Sequence, residues 1–324
     1  MLPSGMHVIK NLCLIGTIAV WGTSASLAKE QPSDVPAWLR SHIGDGEGQI
    51  ARVVLQRARA LYLKKVAAGV VKNPCYFAMD ATRPNEGRMG KRFYTICEAD
   101  KSFRAVTTGH GSGRNVKGAN FANGRGCAKN FGNALDSYLT TGGGYVTAET
   151  RTSFKGYYRS AKQDALLMRS FVQFEGEGET ANARERAIGG HAAVLLRQIR
   201  YRWMPKSPHA NENGCVPVGS LEDYSGGRSN GCTTWSRSDA DKIIPLLKNP
   251  TTVYIYPESR DIKAVAQAVS ARQPASSDRP YWNAVCLKQI GAPKFWSRES
   301  LEPLLAKFRS DPEPAPRRAA TCKP

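Results

Sequence analysis

Ile50, Val53, Val54, Ala58 and Leu61 recur at helical spacing among Arg52, Arg57, Arg59, Lys64 and Lys65, which predicts an amphipathic helix with its apolar stripe on a core. The period then changes. Tyr76 to Met79, Phe93 to Cys97 and Phe103 to Thr107 are short β-prone runs, separated by turn-rich or charged segments such as Arg83-Pro84-Asn85-Glu86-Gly87. From Arg114 to Gly144 glycine and asparagine recur so often that the stretch reads as loops, and long ordered loops in a compact domain are often functional. Leu166 to Phe174 and Ala192 to Ile199 are further apolar or alternating runs. Ser236-Arg237-Ser238-Asp239 forms a capping box ahead of Ile243, Ile244, Leu246 and Leu247, and Thr252 to Tyr256 is strand-like again. The expected fold is mainly β with flanking helices: a polar lead and amphipathic helix over 29–74, a catalytic domain over 75–259, and a C-terminal appendage over 260–324. Gln31 to Gly48 reads as a linker. The appendage carries Trp282, Phe295, Trp296 and a helix around Leu301 to Phe308.

The first residues belong to a different category. Lys10 precedes the apolar Leu12 to Trp21, and Ser26-Leu27-Ala28 offers small residues for cleavage, so residues 1–28 read as a secretory signal. That apolar run is shorter than the about 20 residues a spanning helix needs, so no stable membrane anchor is expected after cleavage. Removing Cys13 from the eight cysteines of the 324-residue chain leaves seven, an odd number. In the periplasm or cell envelope six would pair and one would stay free. The sequence leaves the connectivity open, with Cys75–Cys97 and Cys286–Cys322 as local candidates. A net charge of +19 brings nucleic acid into consideration. Export points instead to anionic envelope polymers, or to a basic surface that is simply solvated, and no nucleic-acid partner is expected. No His-Glu-x-x-His or Cys-x-x-Cys occurs, the five histidines are scattered, and Gly142-Gly143-Gly144 lacks the Gly-Lys-Ser or Gly-Lys-Thr ending of a phosphate loop. The chemistry proposed below requires neither metal nor cofactor.

That chemistry centres on Gly226-Gly227-Arg228-Ser229-Asn230-Gly231-Cys232-Thr233-Thr234. Cys232 is the candidate nucleophile. Glycines before a thiol allow positive φ and close approach of a substrate, and the amides of Gly231 and Cys232 are candidate oxyanion donors. With Arg228 nearby and a helix start behind, the thiol is expected to tend toward thiolate. His191 is the candidate base and His110 its competitor. Ser229 would orient His191 or make the turn; Arg228 would bind a substrate carboxylate or hold the loop through backbone carbonyls.

The stretch Gly227-Arg228-Ser229-Asn230-Gly231-Cys232 resembles the nucleophile motif of L,D-transpeptidases of the YkuD type, in the branch with Gly-Arg-Ser-Trp-Gly-Cys-Pro-Ala. Asn230 stands where that branch has tryptophan, and Thr233-Thr234 where it has Pro-Ala. His110-Gly111, Phe121-Ala122-Asn123 and Gly144-Tyr145-Val146-Thr147 follow the order of the family's His-Gly, Phe-Ser-Asn and Gly-Tyr-x-Thr segments. Arg186-Ala187-Ile188-Gly189-Gly190-His191 resembles its Arg-Ala-Ile-x-x-His element, whose histidine partners the cysteine. The resemblance implies an L,D-transpeptidase-like catalytic domain that acts on peptidoglycan stem peptides through an acyl-enzyme. It gives Cys232, His191, Ser229 and Gly231 catalytic positions, and places Arg228, His110, Asn123 and Tyr145 on the substrate side. With water as acceptor the same site would be an L,D-carboxypeptidase or amide hydrolase; without turnover it would be an envelope-binding module. The residues between His191 and Cys232, including Trp203, His209 and Cys215, form an insertion expected to loop out and shape the cleft.

Overall fold

The computed structural model describes residues 35–85, 90–160, 163–272, 280–310 and 322. The expected secretory signal over 1–28 lies outside them. All of the described residues belong to one compact unit.

The helix read from the first apolar stripe is α1 (Arg52–Ala67), which buries Val54, Leu55 and Ala58. Behind it run β1 (Cys75–Asp80), β2 (Lys91–Cys97) and β3 (Ser102–Thr107), an antiparallel meander. Buried apolar side chains occupy both faces of β1, and the alternation sorts them. Tyr76 and Ala78 join Tyr94 and Ile96 under α1, while Phe77 and Met79 point with Phe93 into the main core on the other side. The described part of the stretch expected as a linker, residues 35–48, is instead packed. Val35 and Leu39 are buried there, and the buried Arg83 guanidinium donates to the carbonyls of Asp45 and Gly46, and to that of Gln49 just beyond, which anchors a polar segment that hydrophobicity alone would leave loose.

The Gly- and Asn-rich stretch holds only fragments of strand: β4 (His110–Gly111), β5 (Asn115–Val116), β6 (Ala119–Asn120) and β7 (Asn130–Gly132). Then comes a long ribbon of β8 (Gly143–Arg159) and β9 (Asp164–Gly176), antiparallel through most of their length. After it the chain passes through β10 (Gly189–Ala192) and the hairpin of β11 (Val194–Trp203) with β12 (Cys215–Asp223), whose far end pairs back onto β8 in parallel. Next are β13 (Arg228–Ser229), β14 (Thr233–Trp235), α2 (Arg237–Leu247), β15 (Thr252–Tyr256) and α3 (Ser259–Ser270). Finally α4 (Ala284–Ile290), β16 (Lys294–Trp296) and α5 (Arg298–Ser310) complete the described chain.

The main sheet runs β14-β10-β9-β8-β15-β1-β2-β3, with β12 and β11 joined through β8. The protein is therefore mostly β with a few flanking helices. The terminal regions share its core rather than standing beside it: α3 contributes Ile262 and Val265 to the cluster around Trp235, and β16 pairs in parallel with β7.

Three disulfides are present among the described residues, Cys75–Cys97, Cys127–Cys286 and Cys215–Cys322. The first joins residues directly opposed on β1 and β2. The local pairing of Cys286 with Cys322 is corrected: α4 seats Cys286 against the loop that carries Cys127, and Cys322 reaches the hairpin at Cys215. Cys232 is the free cysteine among the described residues.

Candidate active site

The thiol sits on a turn between two short strands. Strand β13 pairs in parallel with β4, His110 opposite Arg228 and Gly111 opposite Ser229, and the Ser112 amide adds a bond to the Ser229 carbonyl at 2.7 Å. Beyond the turn, β14 pairs in parallel with β10, Gly190 opposite Thr233 and His191 opposite Thr234. Cys232 thus enters the sheet beside the strand that carries His191. Gly190 permits that pairing: a Cβ there would lie 2.3 Å from the Trp235 indole. The turn itself needs glycine at 231, where φ is +104° and a Cβ would lie 2.9 Å from the Leu139 carbonyl oxygen.

Cys232 and His191 line one cavity of about 690 Å³. The thiol donates to the Ala187 carbonyl at 3.4 Å. His191 is buried and its Nδ1 bonds the Ala192 carbonyl at 2.8 Å; because a carbonyl only accepts, Nδ1 carries the proton and Nε2 keeps the lone pair that a base needs. Burial pushes its pKa down to about 4, against the Ala192 bond, and Arg169 adds to the fall, so the imidazole is neutral at pH 7.

The thiol differs from expectation. Burial raises its pKa, outweighing the Gly189 amide and the charges of Arg186 and Arg169 that favour thiolate. No helix start lies close behind it: β14 intervenes, and the Asp239 amide in the first turn of α2 is taken by its own cap, Ser236 Oγ accepting from it at 3.1 Å. The resting pair is therefore a neutral thiol and a neutral imidazole. A proton must leave sulfur as attack begins, which makes general-base help from His191 part of any reaction here.

Ser229 closes the turn. Its Oγ donates to the Cys232 carbonyl at 2.5 Å and accepts from the Gly231 amide at 3.2 Å, so it makes the loop and does not contact His191. That bond engages the Gly231 amide, which corrects its reading as a free oxyanion donor. Arg228 lines the cavity while its Nη1 donates to the Asn123 carbonyl at 2.6 Å, holding the loop.

The other three residues placed on the substrate side do not line this cavity. His110 is fully buried: Arg92, always a donor, bonds its Nδ1 at 2.7 Å, leaving Nε2–H to donate to the Gly124 carbonyl at 3.0 Å. Its pKa falls to about 3 through burial and the charge of Arg92, so it shapes the site through the β4 backbone and not as a base. Asn123 donates to the Gly111 and Asn130 carbonyls and accepts from the Lys129 and Asn130 amides, which exhausts its side chain. Tyr145 is buried and donates to the Thr141 carbonyl at 2.8 Å.

Sequence reasoning assigned no role to the groups beneath the turn. Arg186, the first residue of the Arg-Ala-Ile element, donates to the Leu139 carbonyl at 2.6 Å and to Thr141 Oγ1, clamping the floor under Gly231. Its place in that element was the available signal. Among the described residues, three of the six non-glycine residues with positive φ, Asp136, Tyr138 and Ala187, line this cavity, the concentration of backbone strain expected at a working site. Among the described residues no cluster of His, Cys, Asp and Glu could hold a metal ion.

No protein-family model matches the chain, and no curated protein matches it. Among solved structures it is similar to an L,D-transpeptidase (Yku) from Stackebrandtia nassauensis, at 12% identity over 68% of this chain and 88% of that one, with a TM-score of 0.26.

Proposed function

We propose that this protein is an exported cysteine acyltransferase of the L,D-transpeptidase kind, acting on peptidoglycan stem peptides. The observation that carries the reading is the pairing of β14 with β10, which brings the free thiol and a tautomerically fixed histidine into one cavity. The motif resemblance supplies the reaction class. Export rests on the N-terminal pattern and on the three disulfides. No helix among the described residues is long and apolar enough to cross a membrane.

In this reading Cys232 Sγ attacks the amide between the third and fourth stem residues as His191 Nε2 takes its proton. The tetrahedral intermediate collapses with proton transfer from His191 to the leaving amine, releasing D-alanine and leaving a thioester. An amine on a second stem or on an attached protein then attacks the thioester. Water in its place gives carboxypeptidase or hydrolase activity.

The test is incubation of the mature protein with tetrapeptide muropeptides, read by mass spectrometry. Loss of D-alanine and a covalent adduct on Cys232, both absent from Cys232→Ala, are expected. Unchanged muropeptides with retained binding to sacculi would replace the enzyme with a binding module.

A further inference from the structure

The cavity is far more cationic than a peptide cleft requires. Six arginines line it, Arg125, Arg151, Arg169, Arg186, Arg197 and Arg228, against two acids, Asp136 and Glu222. Glu222 is engaged by Arg197, and Asp136 is paired with Arg309. Five arginines therefore have no carboxylate within 4 Å among the described residues. Of these, Arg186 and Arg228 hold the floor and the loop.

Arg151 and Arg169 are presented differently. They rise from the β8/β9 ribbon, where Arg151 is opposite Phe171 and Arg169 is two residues from it on the same strand face. The Arg151 guanidinium lies 5.0 Å from the Phe171 ring centre, and that ring lies 6.1 Å from the His191 ring. Arg169 is braced by Ser153 Oγ at 2.9 Å from its Nε, by the Val194 carbonyl at 3.0 Å from Nη1 and by the Tyr224 hydroxyl, another group of the cavity lining. A stacked guanidinium and a braced one beside the nucleophile make a preorganised fork for a carboxylate.

We propose that Arg151 and Arg169 form a carboxylate subsite that selects donors carrying a free carboxylate close to the scissile amide, which makes the β8/β9 ribbon the specificity element of the enzyme. This rests on the acyltransferase reading above. The subsite acts on binding and positioning, so its loss should raise KM more than it lowers kcat.

The experiment uses tetrapeptide donors in which each free carboxylate is converted in turn to a carboxamide, with acylation of Cys232 followed by mass spectrometry. In the wild type one such amide should lower kcat/KM about 10- to 100-fold, the scale of a lost charge-assisted pair. In the double variant Arg151→Gln/Arg169→Gln, checked for folding by thermal melting and circular dichroism, that acid and its amide should acylate at equal rates. Arg169→Lys should keep part of the preference. A double variant that discriminates as the wild type does, or a wild type indifferent to every amide, would overturn the subsite while leaving the acyltransferase reading intact. If no donor acylates wild-type Cys232, both fall together.

Discussion

The chemistry turns on two neutral groups whose protonation is set by burial. His191 acts only when Nε2 is unprotonated, and its pKa of about 4 keeps that form dominant from weakly acidic pH upward. The acid limb of kcat/KM should therefore fall with a midpoint near pH 4, well below the about 6.5 of an ordinary histidine. His191→Gln should lower kcat by about 10²- to 10⁴-fold, the usual worth of a positioned base, and should erase that limb. Steady-state rates from pH 3 to 9 check both. An acid limb near pH 6.5 would mean that solvent reaches the imidazole during turnover.

Among the elements, the loop from Ser112 to Thr141 is the wall against which the nucleophile turn is built, since it supplies the Leu139 carbonyl under Gly231 and the Asn123 carbonyl that takes Arg228. It contains little regular structure, so its shape depends on ties. The Cys127–Cys286 disulfide fastens it to α4 across a separation of 159 residues. Replacing both cysteines with alanine should cost about 2–5 kcal/mol in a urea titration. It should also lower acylation of Cys232 more than a matched removal of Cys75–Cys97, which staples two strands remote from the turn. Equal effects of the two removals would show that the wall holds its shape through hydrogen bonds alone.

At the scale of the whole molecule, two histidines are buried in their neutral forms, His110 with a pKa of about 3 and His191 with one of about 4. Unfolded, each titrates near 6.5, so between pH 6.5 and the folded values the unfolded chain binds more protons. Stability must then fall as pH falls through that window, by up to about 1.4 kcal/mol per pH unit for each histidine. His110→Gln, which removes one of the two, should be less stable at neutral pH through loss of the Arg92 and Gly124 contacts, yet flatter between pH 6.5 and 4. Urea midpoints across that range read the slope. An unchanged slope would mean that His110 is accessible to protons in the folded state.

Much of this protein was legible along the chain because short-range physics decides it. The stripe from Ile50 to Leu61 could only bury itself as a helix, the runs at Tyr76, Phe93 and Phe103 as strands, and Ser236 to Asp239 as a cap. Without Cys13, which the expected signal would remove, the cysteine count is odd, the arithmetic of paired cysteines plus a free thiol, and the glycines before Cys232 marked its turn. What the sequence could not convey is which polar groups face the cavity. His110, Asn123 and Tyr145 look like site residues, yet buried backbone groups of the loops need their hydrogen-bonding atoms, and packing turns them inward. Arg151 and Arg169 look like the solvated side of a ribbon until β9 pairs with β10 and brings them over the sulfur's cavity. Local pattern sets the elements, whereas the direction a polar side chain takes, and so the ionisation of the thiol, depends on neighbours distant in sequence that only the folded sheet brings together.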